Sequence, residues 1–134
     1  MKRKAATVKP GDTFEVKQTV GKYDPILYAG ASGDFNPIHI DPEFGKMVGL
    51  GGNILQGLCT MAYTARCHTE FAGDPGALKH IKVRFSKPVR PADTVTVNAA
   101  VEAVEGKRTK TTFKALNQSG EEVIINGFAE LELD

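Results

Sequence analysis

The feature that most limits what this chain can fold into is the break in periodicity at Gly73. Residues 57–71, GLCTMAYTARCHTEF, contain no proline, and Leu58, Met61, Ala62, Ala65 and Thr69 mark one helical face while small residues fill much of the rest. A helix this apolar must be buried on most sides. Gly73 is its natural stop, because glycine enters the left-handed C-cap conformation without steric cost. Beyond it the period drops to two. Ile81, Val83 and Phe85 alternate with Lys82 and Arg84; Val95, Val97, Ala99 and Val101 form a second set; Thr111, Phe113 and Ala115 a third. Val123, Ile125, Gly127, Ala129, Leu131 and Leu133 form a fourth. Alternation of this kind is what a strand with one buried face requires. Gly106 and the Asn117–Gly120 turn suit an antiparallel meander. A buried helix followed by long amphipathic strands predicts an α+β fold, a curled antiparallel sheet wrapped around the helix.

Upstream, Thr13–Val20 reads as a strand and Tyr23–Ala31 as a short helix weakened at its end by Gly30 and Gly33. Residues 34–56 hold Pro37, Pro42 and glycines at 45, 49, 51 and 52, which predicts a loop-rich excursion. One turn of helix over Glu43–Met47 is expected there, with Asp41 as N-cap and Pro42 in the first turn. The length, 134 residues, predicts one domain, 1–134, at about 100–200 residues per domain. Surface scaling has a chain of this size burying about two thirds of its area, enough for a core without staples.

Seventeen Lys plus Arg against 16 Asp plus Glu leave a net charge of +1, which supplies no field for gripping nucleic acid. No apolar run approaches the roughly 18 residues that span a bilayer. Neither nucleic acid nor membrane is an expected partner. Lys2, Arg3, Lys4 and Lys9 crowd one end of the chain, which reads as frayed and solvated. That end lacks the apolar stretch of a signal peptide. Cys59 and Cys67 would stand about 12 Å apart along one helix at 1.5 Å per residue, too far to pair with each other. Free thiols and a cytoplasmic location are the expectation.

His39, His68 and His80 have no carboxylate or thiol at metal-motif spacing, so no metal site is expected. No GxGxxG, GxSxG or GxxxxGK[ST] occurs, so no nucleotide cofactor is expected either. What remains is YAGASGDFNPIHID at 28–41, in which Asp34 and His39 bracket a helix end and an Asn36-Pro37 turn. The turn allows the chain to fold back and both side chains to face one cleft, an acid and an imidazole sharing proton work. On spacing alone, the reading of Asp34 as a capping or turn acceptor and His39 as a core histidine is the stronger one.

That stretch resembles the signature of the MaoC-like (R)-specific enoyl thioester hydratases and dehydratases, proteins of the hot-dog fold. The resemblance lies in Gly33-Asp34, Asn36-Pro37 and His39, continues through Gly49, Gln56 and Gly57, and extends to VRFSKPVRPADTV at 83–95. Among single-domain members it is closest to the catalytic dehydratase subunits of mycolic-acid-type type II fatty acid elongation. The resemblance implies catalytic roles for Asp34 and His39, and a thioester oxyanion donor in the backbone N–H of Gly57 at the helix start. It further implies substrate contacts from Asn36, no cofactor, and an acyl-CoA or acyl carrier protein thioester as substrate. Many members carry His-Gly where this chain has Gln56-Gly57; a backbone donor is spared by that change.

The acid-free run Lys79, Lys82, Arg84, Lys87 and Arg90 is a candidate contact for coenzyme A phosphates or an acidic carrier surface, with Lys82 and Arg84 as substrate-binding candidates. A solvated strand face explains it as well. Tyr63 and Phe71 read as core. A small sheet leaves edges that a second copy can seal, so a homodimer, or a heterodimer with another hot-dog chain, is expected. Two other functions are compatible with the fold: a thioesterase, needing a carboxylate aimed at the carbonyl carbon, and a non-catalytic acyl-binding subunit, against which the retention of Asp34 and His39 argues.

Overall fold

In the computed structural model, which describes residues 1–134, the alternating segments form one five-stranded antiparallel sheet in the order β1-β3-β4-β5-β2. The strands are β1 (Thr13–Thr19), β2 (Leu78–Phe85), β3 (Thr94–Glu105), β4 (Arg108–Leu116) and β5 (Glu122–Glu132). The helices are α1 (Asp24–Ser32), α2 (Pro37–Ile40), α3 (Pro42–Met47) and α4 (Gly57–Ala72). Strands β3, β4 and β5 are the expected meander, whereas β2 lies beyond β5 and leaves β1 and β2 as the two edges. The sheet curls around α4, which contacts β1, β2, β3 and β5. The α+β arrangement read from the periodicity is therefore present.

Val95, Val97, Ala99 and Val101 of β3 and Thr109, Thr111, Phe113 and Ala115 of β4 all point inward and are buried. The face that α4 presents to them differs from the expected one. Thr60, Thr64, Cys67, His68 and Ala72 are buried, while Leu58 is 62% exposed. The reason is internal pairing of polar groups, which removes most of the penalty for burying them. Thr64 donates its hydroxyl proton to the Met61 carbonyl at 2.6 Å. His68 Nδ1 lies 2.8 Å from the Thr64 carbonyl and Nε2 2.7 Å from Thr111 Oγ1. A carbonyl only accepts, so Nδ1 carries the proton and Nε2 accepts from the Thr111 hydroxyl. Burial pushes the His68 pKa down, favouring that neutral ring. Phe14 and Phe113 pack against it edge-on, with ring centroids at 5.2 and 4.9 Å.

Two further expectations are corrected. In β5 the inward side chain is Ile124, not Ile125, because Asn126 adopts φ +52° and the pairing with β4 shifts register between Phe113 and Ala115. Such a bulge breaks strict alternation. The basic N-terminus is docked rather than frayed. Arg3 donates its backbone N–H to Ala72 O at 2.8 Å and its Nε–H to Phe71 O at 2.6 Å, and its guanidinium lies 4.1 Å from the Phe71 ring centroid. Lys2 pairs with Asp74 at 2.9 Å. These cations sit where the last carbonyls of α4 leave a partial negative charge.

Candidate active site

Asp34 follows the stop of α1, where Gly33 takes the left-handed conformation at φ +78° and donates its N–H to Ala29 O. Ser32 Oγ accepts the Asp34 N–H at 3.1 Å, and Asp34 Oδ1 accepts the Asn36 N–H at 3.3 Å. One carboxylate oxygen is thus used by the turn, and the other, Oδ2, is left for the site. Asn36 Oδ1 caps α2 by accepting the Ile38 N–H at 3.2 Å. Pro37 opens that helix, a turn within the segment that its prolines and glycines predict to be loop, and brings His39 round to face Asp34. His39 Nε2 and Asp34 Oδ2 are 3.6 Å apart, with the imidazole 11% and the carboxylate 46% exposed. Asp34 therefore serves both as turn acceptor and as one half of an acid–imidazole pair.

The orientation of His39 is fixed by residues that the sequence reading missed. Ile54 O takes the Nδ1–H at 2.8 Å, which leaves the Nε2 lone pair facing Asp34. Asn53 donates its side-chain amide to the His39 carbonyl at 2.9 Å, and the Ile54 N–H bonds Ile38 O at 2.9 Å. The only sequence signal was Asn53 directly after the glycine pair 51–52; nothing in a linear pattern says which carbonyl will receive an imidazole N–H. Gly45 on α3 lies against this segment so closely that a Cβ there would collide with the Gly52 carbonyl.

Three residues past Ile54, Gly57 opens α4, so their Cα atoms lie within about 11 Å of each other by chain reach. The Gly57 and Leu58 N–H groups have no backbone acceptor, and the helix has no side-chain cap. Open N–H groups at a helix start attract developing negative charge. The Phe85 ring on β2 lies over Gly57, where a Cβ would approach it to 3.2 Å. The nearby Cys59 thiol and Tyr63 hydroxyl, 3.7 Å apart, both have pKa values pushed up, mainly by burial. They stay protonated, so α4 brings no thiolate nucleophile to this end. Cys67, deeper in the core, is pushed up to about 12, and both cysteines are free.

Lys82 and Arg84 are not part of this constellation. They project from β2 on the face away from α4 and line a groove of about 540 Å³ with His80, Asn126 and Phe128. A larger groove of about 990 Å³ crosses the same outer side of the sheet, lined by Thr13, Asn98, Ala100, Thr112 and Lys114 among others. Neither groove includes Asp34 or His39. No group of three or more His, Cys, Asp or Glu side chains is arranged to hold a metal ion.

The model of the MaoC like domain family matches residues 4–123. The chain belongs to this family. Its likeness to solved MaoC-type structures includes an R-hydratase from Pseudomonas aeruginosa in the unliganded form, with a TM-score of 0.90 and 25% identity over 98% of this chain and 86% of that one. The MaoC-like domain here thus has the hot-dog fold. Curated relatives include a probable enoyl-CoA hydratase 2 of Dictyostelium discoideum, 37% identical over 119 residues, 87% of this chain and 39% of that protein. The peroxisomal multifunctional enzyme type 2 of Mus musculus is 42% identical over 103 residues, 75% of this chain and 13% of that protein. The MaoC-like chain spans well under half the length of these relatives.

Proposed function

We propose that this MaoC-like chain catalyses the (R)-specific hydration of trans-2-enoyl thioesters and the reverse dehydration of (3R)-hydroxyacyl thioesters. The observation that carries the reading is the pairing of Asp34 Oδ2 with Nε2 of His39 at 3.6 Å, the ring being held by Ile54, three residues ahead of an uncapped helix start. Two acceptors at that separation hold one water through its two protons and leave its oxygen lone pair free to attack. The oxygen adds to C3, its proton passes to the Asp34–His39 pair, and the π electrons move onto the thioester oxygen. The Gly57 N–H stabilises that enolate oxygen, and delivery to C2 of the proton taken up by the Asp34–His39 pair completes the addition and restores the pair. Asp34 is the leading acceptor of the water proton. Proton transfer of this kind supplies about 10²–10⁴ in rate, and one oxyanion donor about 2.7–4 kcal/mol. The (R) outcome is supported by the name of the Pseudomonas relative, and coenzyme A as carrier by the Dictyostelium one.

The finer parts of the proposal follow the sequence resemblance. Asn36, whose side-chain amide protons have no intramolecular acceptor, contacts the substrate; Lys82 and Arg84 meet the phosphates of coenzyme A or an acidic carrier protein. A second hot-dog chain, identical or different, pairs with the exposed sheet edge and walls the acyl pocket. In the narrower placement the chain is a catalytic dehydratase subunit of mycolic-acid-type elongation and its partner is catalytically silent. The test is to mix the purified chain with crotonyl and longer enoyl thioesters, alone and with candidate hot-dog partners, and follow the enoyl absorbance. Loss of absorbance with a (3R)-hydroxyacyl product is expected. Release of free thiol without hydrated product would make it a thioesterase, and inertness under every combination would make it a non-catalytic subunit.

A further inference from the structure

Gln56 is the residue immediately before Gly57, and its side chain does something unusual for the N-cap position. A polar N-cap ordinarily accepts N–H bonds from the first turn of its own helix. Here no such bond is made. The side chain is 1% exposed, and its Nε2 donates instead to the carbonyl of Pro25 in α1 at 2.8 Å. The amide cannot be reversed, because Pro25 offers only an acceptor there and two oxygens would then face each other. The opposite end, Oε1, is buried with no partner. An orphaned buried acceptor is a cost of about 1–3 kcal/mol, so a carbon side chain of equal length would serve packing better than the amide does. The amide is therefore explained by its donor half, the bridge from the start of α4 to the start of α1.

We infer that Gln56 is a positioning residue for the oxyanion donor: it ties the residue that leads into α4 to α1 and so fixes the direction in which the open Gly57 and Leu58 N–H groups point. The inference rests on the hydratase reading for the role of Gly57. Helix α1 ends two residues before Asp34, so the Gln56–Pro25 bond also links the element that delivers the carboxylate to the one that delivers the N–H. The bond joins residues 31 positions apart in sequence and so ties together the two elements that carry the parts of the site.

The test uses Gln56→Met, which keeps volume and removes both the bridge and the orphaned oxygen. If Gln56 positions the donor, kcat for enoyl thioester hydration falls about 10- to 100-fold, the scale of a misplacement near 1 Å, while KM and the unfolding midpoint stay near wild type. Gln56→His, whose Nε2–H occupies nearly the place of the glutamine donor, restores most of kcat. The Gly57 and Leu58 amide resonances shift and exchange faster in Gln56→Met and return in Gln56→His, whereas amides at the far end of α4 do not move. A Gln56→Met variant with wild-type kcat and unmoved Gly57 and Leu58 amides would overturn the inference, as would a loss of activity that tracks a loss of folding in both variants. A wild-type chain inert toward every enoyl thioester would remove the hydratase reading, and the amide resonances would still decide whether Gln56 holds the helix start.

Discussion

His39 Nε2 faces Asp34 Oδ2 across 3.6 Å because Ile54 O holds the other ring nitrogen at 2.8 Å. The gap is longer than a direct hydrogen bond and suits a shared water. The exposed carboxylate gives the pair access to solvent, and the nearly buried imidazole gives it a fixed direction.

Gly45 supports that direction from behind. A Cβ at position 45 would run into the Gly52 carbonyl, and Gly52 precedes the Asn53–Ile54 pair that grips His39. Gly45→Ala should displace this segment and lower kcat about 100-fold, the scale of a misplacement near 1 Å. Steady-state kinetics on the soluble variant checks this; unchanged kcat would mean that the 53–54 segment does not set the ring.

Asn53→Ala removes the bond to the His39 carbonyl and leaves the Ile54 clamp in place. A milder loss is expected, about 10-fold in kcat, with a stability change of about 1 kcal/mol for one hydrogen bond. Urea unfolding together with kinetics separates the two effects.

His68 makes stability pH-dependent. Its folded pKa lies below the unfolded value of 6.5, chiefly through burial, so the unfolded chain takes up the proton first as the pH drops. This contribution is full above 6.5 and is lost as the pH falls from there toward the folded value, at no more than about 1.4 kcal/mol per pH unit. His68→Gln should flatten the dependence of unfolding free energy on pH below 6.5, measured by urea titration at several pH values. An unchanged slope would mean that other groups dominate.

Arg3→Ala should lower stability by about 1 kcal/mol through loss of the stacking on Phe71 and the bond to its carbonyl, with kcat unchanged because the clasp lies at the far end of α4. Thermal unfolding checks the first part and turnover the second.

Periodicity was a good guide wherever burial on one face set the pattern. The strands around Val95–Val101 and Thr111–Ala115 and the long helix ending at Gly73 lie where the alternation and the helical spacing place them. It misled where polar groups satisfy one another inside. Thr64, His68 and Thr111 form a buried hydrogen-bonded set that hydropathy assigns to solvent, so the wrong face of α4 was read as core. The placement of β2 beyond β5 depends on long-range pairing that no local window contains. The approach of Asp34 to His39 was legible as an Asn-Pro turn between them, whereas the grip on His39 comes from the Ile54 carbonyl and the Asn53 amide, which no linear pattern connects to that ring.

The most direct test of the Asp34–His39 chemistry is the hydration rate of Asp34→Asn beside wild type, on the same enoyl thioester and with the same partner chain. The substitution keeps shape and the turn bond to Asn36 but removes the negative oxygen facing His39. A fall in kcat of about 10²–10⁴, with unfolding free energy within about 0.5 kcal/mol of wild type, is the expected result. A folded Asp34→Asn variant that hydrates at the wild-type rate would contradict it.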